Sequence, residues 1–202
     1  QGGDALYAAL AAPSLENWRD LSSSASLPIT TSCAVLTGLT SQDASQMAAD
    51  PRLQAGAALR SRYPQMLWQD ADYGLSVDGG ALIAGRRALL ECLADARLSV
   101  EDVVMPAPLE DKRRQRYTLP DGGTATHLVY ACGAWLTEVF PQPITPARLS
   151  AVRHQIFHFG AGQGDVQHRL PAMPALVDRQ FGYTALPDLE GRGVRVWSHH
   201  PD

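Results

Sequence analysis

The feature that most constrains this chain is its last quarter, where short apolar runs alternate with turn residues. Ala175–Asp178, Gln180–Leu186 and Val194–His199 are each too short for a helix, and turn formers separate them (Pro187, Asp188, Gly191 and Gly193 in the last gap). Three such runs predict antiparallel strands. Within Val194–His199, Arg195 and His199 fall on one side of a regular strand, because alternate residues share a face. The aromatics just upstream, Phe181 to Tyr183, suggest a pocket wall.

The rest of the chain mixes periods. Residues 4–21 carry Leu6, Leu10, Leu15, Trp18 and Leu21 at near-helical spacing, and Pro13 is expected to break or kink the run. Ile29 to Leu36 reads as a strand ending at Gly38. Ser41 is a candidate cap for a helix carrying Met47 and Ala48, and a second helix is expected over Leu53 to Arg62. Met66 to Val77 reads as extended, closing in a turn at Asp78-Gly79-Gly80. Ile83 to Ala96 has the clearest helical periodicity, with Leu82, Leu89, Leu90, Leu93 and Ala94 on one side and Arg86 and Arg87 on the other.

Three strand candidates follow: Leu98 to Val104, Arg116 to Leu119 with a hairpin turn at Asp121-Gly122-Gly123, and the apolar Ala125 to Cys132, expected to be buried. Gly133-Ala134-Trp135 turns into a short helix ending at Phe140. Pro141, Pro143 and Pro146 make a stiff linker, and Val152 to Phe159 alternates like a strand. Helices and a strand, then a helix with strands, then a run of strands, predict an α+β (mixed α/β) protein.

Composition excludes several classes. With 202 residues, 45% of them apolar, the chain can bury a real core. The net charge of -4 and the lack of a polybasic tract argue against nucleic acid and anionic membranes as partners. Lys112 to Arg116 is the one dense basic cluster, and it reads as an exposed strand edge or hairpin arm. No run reaches the roughly 20 apolar residues of a membrane helix. Cys33, Cys92 and Cys132 are odd in number and widely spaced, which suggests reduced, buried thiols in a cytoplasmic protein. One Lys among 17 basic residues and abundant Ala suggest a GC-rich bacterial gene.

Familiar catalytic motifs are absent or mis-spaced. Gly160–Gly164 (GAGQG) lacks the spacing of a dinucleotide loop and reads as a flexible loop. His154 and His158 share a strand face, but no Cys or carboxylate cluster joins them, so no metal is expected. There is neither a G-x-S-x-G elbow nor a Walker loop. His199 with Arg195 could bind a carboxylate and move a proton; a surface His199-His200 pair is the plainer alternative.

Several passages together resemble a known family. Leu15 to Leu21 resembles a helix bearing a Trp, and Cys33 to Gly38 is similar to a "GVL-x-x-G" strand. Asp78 to Leu82 is similar to a "GG-x-x-x-P" turn and helix, and Leu128 to Trp135 to an apolar strand ending in GAW. Val152 to Gln155 resembles a "P-x-R-Q" strand start, and Tyr183 to His200 a strand pair ending in a Lys and a His near a flavin. In this order they are similar to the FAD-dependent amine and amino-acid oxidoreductases of the D-amino-acid oxidase group, in its sarcosine-oxidase and glycine-oxidase branch. The chain resembles an internal part of such a protein, lacking the N-terminal G-x-G-x-x-G.

The resemblance implies an antiparallel substrate-domain sheet with helices, plus part of a FAD-binding-type α/β domain. It divides the chain into residues 1–78 and 147–202, two parts of the substrate domain, and 79–146, a portion of the FAD-binding-like domain. It implies hydride transfer from the carbon beside the nitrogen of a secondary amine or amino acid to FAD. His199 would lie beside the substrate amine and stabilise or accept charge. Arg195, where related enzymes carry a Lys that helps the flavin react with oxygen, would sit near the flavin. Tyr183 and Thr184 would line the substrate pocket. Gly133 and Ala134 would let the backbone approach the cofactor, and Trp135 would either contact it or serve as structural packing. The other class of function open to such a chain is a non-catalytic module, kept for binding or oligomerisation.

Overall fold

A computed structural model describes residues 5–94, 98, 109–111, 116–119, 122–140 and 151–200. The chain divides into two compact units, residues 1–96 with 154–202, and residues 97–153. The fold is mixed α/β with a mostly antiparallel sheet. Position 78/79, where the sequence was expected to pass from one domain to the next, lies inside a continuous strand of the first unit.

The first unit is built on seven strands: β1 (Thr30–Leu39), β2 (Leu53–Ala55), β3 (Tyr73–Ile83), β7 (Ile156–Phe159), β8 (Ala175–Asp178), β9 (Tyr183–Leu186) and β10 (Val194–Ser198). Their order across the sheet is β2-β3-β1-β8-β9-β10-β7. Only β1 and β8 run parallel; every other neighbouring pair is antiparallel. The three late strands read from the sequence are β8, β9 and β10. Val152–Phe159 forms strand only over its last four residues.

One face of this sheet carries the core. Leu36, Leu176 and Ala185 project from it and pack with Leu59, Tyr63, Trp68 and Met173. Tyr183, Val194 and Val196, on the same side by alternation, pack against that cluster.

Helices α1 (Ala5–Ser24), α2 (Ser41–Gln46), α3 (Gly56–Arg62) and α4 (Gly85–Leu93) flank the strands in sequence. α1 is continuous through Pro13, where a break or a kink was expected. Its Ser22 Oγ accepts the amides of Ile29 and Thr30, fixing the entry into β1. The cap of α2 is Thr40 rather than Ser41: the Asp43 amide donates to the Thr40 hydroxyl at 3.1 Å. α2 ends at Gln46, so Met47 and Ala48 lie outside it.

The helix expected over Leu53–Arg62 begins three residues late, because Leu53 to Ala55 pair with Leu75 to Tyr73 as an edge strand. Asp78-Gly79-Gly80 is not a turn. β3 continues through it to Ile83, and the register with β1 slips between Cys33 and Val35. Gly79 takes φ +87 in that bulge, and Arg19 donates to its carbonyl at 3.0 Å. α4 is shorter than expected, Leu82 and Ile83 belong to β3, and Leu89, Leu90 and Leu93 are exposed. Of the three thiols, only Cys33 is buried, and Cys92 is exposed. Burial raises the Cys33 thiol pKa above its usual value.

The second unit holds a three-stranded antiparallel sheet of β4 (Leu109–Asp111), β5 (Arg116–Thr118) and β6 (Thr124–Ala125). The β5–β6 hairpin turns at Gly122, as the sequence suggested. The expected strand Ala125–Cys132 forms only at its first residue, and Val129 is 90% exposed rather than buried. An apolar run alone could not show whether a partner strand lies beside it. A 3-10 turn, Gly133–Trp135, leads into α5 (Leu136–Val139), and Phe140 meets Tyr130 edge to face. The readings of Leu98–Val104, Lys112–Gln115 and the Pro141–Pro146 linker fall outside the described residues, apart from Leu98.

Candidate functional site

The sheet face opposite the core carries the candidate site. Cross-strand partners share a face, and β10 pairs Arg195 with Leu186 and Trp197 with Thr184 on one side, and with His158 and Ile156 on the other. These residues form a strip with no Asp or Glu in it. Arg195 and His158 are exposed, whereas Thr184 is 7% exposed. His199 lies one residue past β10, but its amide donates to the Gly182 carbonyl at 2.7 Å, which carries the pairing onward. Its ring Nε2 is 2.7 Å from the Thr184 hydroxyl.

The structure therefore joins Thr184 to His199. It keeps Arg195 on the same side but apart from them: four residues of strand put Arg195 and His199 about 13 Å apart, with Trp197 between. Tyr183 points the other way. It packs against the core, where burial, with Asp178 and Asp72 nearby, raises its phenol pKa above the usual value. Tyr183 and Thr184 were expected to line one pocket; as adjacent strand residues they face opposite sides of the sheet. Gly133, Ala134 and Trp135 form the 3-10 turn of the second unit, with Trp135 65% exposed and open space around Gly133.

Arg195 opens onto a cleft of about 610 Å³. Leu27, Leu82, Ile83, Leu90 and Leu186 make its apolar walls, and Arg86, Arg87 and Arg192 line it together with Glu190, which pairs with Arg87 and Arg192. Arg87 is held in place, donating to Glu190 at 2.5 Å and to the Pro28 carbonyl at 2.9 Å. The β9–β10 loop that forms one wall is fixed by Asp188, buried at 3% exposure. Its carboxylate accepts the Gly193 amide at 2.9 Å and lies 3.3 Å from Arg169. Gly193 itself has φ +85, and a Cβ there would lie 2.5 Å from the Phe159 carbonyl oxygen. Sequence reasoning missed Arg87, Glu190 and Asp188. The turn residues signalled the loop, but a pair 103 positions apart leaves no local trace.

The family resemblance implies a flavin cofactor. The donor-rich strip of Arg195, Trp197 and His199 suits the acceptor-bearing edge of a flavin ring or an anionic substrate. Nothing described suits the pyrophosphate. Gly160–Gly164 is largely exposed and leads into a turn, with the Asp165 amide donating to Gly162 and His168 bonded to Asp165 at 2.6 Å, not into a helix N-terminus. His154 bonds the Ser198 carbonyl at 3.0 Å, and among the described residues no three His, Cys, Asp or Glu gather as metal ligands. No helix among them is long and apolar enough to cross a membrane.

Set beside solved structures, the chain is similar to iminodiacetate oxidase (IdaA) from Chelativorans sp. BNC1. The TM-score is 0.60 at 14% identity, over 98% of this chain and 58% of that one. It is similar to NikD, an unusual amino acid oxidase essential for nikkomycin biosynthesis, in its open form: TM-score 0.57, 15% identity, 100% of this chain and 57% of that one. A point variant of NikD gives 0.52 at 18% identity, over 94% and 53%. The fold is shared with these oxidases. The chain spans less than three-fifths of their length, and the likeness is one of fold. No protein-family model and no curated protein sequence matches it.

Proposed function

We propose that this chain is part of a FAD-dependent oxidoreductase that oxidises the C–N bond of a secondary amine or an amino acid. The observation that carries this reading is the acid-free strip of Thr184, Trp197, Arg195 and His199, lying on a sheet whose fold two oxidases share. FAD, when bound, supplies the acceptor for the hydride that leaves the carbon beside the nitrogen. The chain's own residues bind and orient. His199 lies beside the substrate amine and hydrogen-bonds the substrate's polar groups. Arg195 holds a positive charge at the mouth of the cleft, and unlike a Lys it does not readily give up its proton. Gly133, Ala134 and Trp135 are proposed cofactor contacts, and the residue 97–153 unit that holds them a portion of the FAD-binding domain.

The test is flavin content and its response to substrate. The protein purified with its native flanking sequence should show flavin absorbance, and that absorbance should bleach when an N-alkyl amino acid is added without oxygen. A protein that purifies colourless and takes up no added FAD overturns the reading.

A further inference from the structure

Thr184 is 7% exposed within β9, and the one hydrogen-bond partner of its hydroxyl among the described residues is His199 Nε2, at 2.7 Å. A hydroxyl has one proton to give, and a neutral imidazole has one nitrogen that donates and one that accepts. If Nε2 carried the proton, it would donate to Oγ1. The hydroxyl proton would then have no acceptor among the described residues, an arrangement that largely buried polar groups avoid. If the hydroxyl donates to Nε2, both groups are satisfied and the ring proton moves to Nδ1. We propose that Thr184 is a positioning residue that holds neutral His199 as its Nδ1–H tautomer.

The backbone fixes the geometry from both sides. Thr184 sits opposite Trp197 in the β9–β10 ladder, and the His199 amide is tied to Gly182. The strand pairing holds the two residues side by side, and the Oγ1–Nε2 hydrogen bond holds the ring. When the imidazole takes up a second proton, Nε2 becomes a donor and the same hydroxyl accepts, so the contact serves both states. What changes is the outward nitrogen. With Nδ1 protonated, neutral His199 offers a hydrogen-bond donor to a ligand rather than a lone pair to abstract a proton. This assignment of His199 to donor work rests on the oxidoreductase reading; the tautomer itself does not.

The experiment is nitrogen NMR of the 202-residue chain labelled at histidine, with His199 identified by the signal lost in His199→Gln. In the native sequence at a pH where His199 is neutral, Nδ1 should carry the proton and Nε2 should show the shift of an acceptor. Thr184→Val, which removes the hydroxyl and keeps the shape, should move the population towards the Nε2–H form, and Thr184→Ser should retain the native pattern. A native signal with the proton on Nε2 overturns the proposal. So does a folded Thr184→Val chain with an unchanged tautomer. If Thr184→Val does not fold, the native spectrum decides alone. In the flavin-loaded protein, Thr184→Val should slow amine-dependent flavin reduction by about tenfold or more, with Thr184→Ser restoring it. The native tautomer without any flavin reduction would sink the oxidoreductase reading and leave the proposal standing.

Discussion

Strand β9 has two sides with opposite tasks. Tyr183 and Ala185 face the core, with Leu36 and Leu176, where apolar packing is close and the Tyr183 phenol is held in its neutral form by burial. Thr184 and Leu186 face the polar strip, where Arg195 and His199 stay open to solvent. A single residue of offset separates the side that stabilises the sheet from the side that can bind. Substitutions on the two sides should therefore move different observables.

Four substitutions sharpen or break that contrast. Leu36→Ala should cost the most stability, about 2–5 kcal/mol, since the side chain is fully buried and leaves a cavity. Urea unfolding measures it, and a loss under about 1 kcal/mol would show that this face is not the core. Gly193→Ala should cost about 1–3 kcal/mol, from positive φ and the clash with Phe159. This tests whether the cleft wall, unlike the strip beside it, depends on backbone geometry. An alanine tolerated without cost would remove that distinction.

The third concerns pH. Tyr183 has its pKa raised in the folded state, so the folded chain holds the phenol proton at pH values where the unfolded chain has released it. Its contribution is complete below about pH 10 and is lost as pH climbs through the folded value. Tyr183→Phe should flatten that alkaline decline in a stability–pH profile; an unaltered slope would count against a buried phenol. The smallest stability effect belongs to Arg195→Gln, within about 0.5 kcal/mol because the side chain is exposed and has no ion-pair partner among the described residues. In the flavin-loaded protein the same change should slow amine-dependent reduction by about tenfold or more, the loss of one charged hydrogen bond. A large loss of stability with no change in rate would reverse the contrast.

Much of the sheet was legible because its signals are local. The β-branched run Thr30–Leu39, the turn residues Pro187 to Gly193 and the alternation through Val194–Ser198 each announce their structure within a few residues. The misread segments depended on distant partners. Leu53–Ala55 looks helical until β3 lies alongside it. Asp78-Gly79-Gly80 looks like a turn until β1 requires a bulge there, and Ala125–Cys132 looks buried although only its first residue finds a strand. Of the candidate site, Arg195 and His199 could be placed on one side by counting. Their separation, and the replacement of Arg195 by Thr184 as the neighbour of His199, could not.

Period and punctuation along the chain were enough to establish a mixed α/β protein with late antiparallel strands, because alternation and turn chemistry act over a few residues. Which side of β9 meets the core, which hydroxyl meets His199 and which carboxylate anchors Arg87 were decided only in three dimensions. Those contacts join residues 15 and 103 positions apart, and hydrogen bonds and packing depend on distance in space.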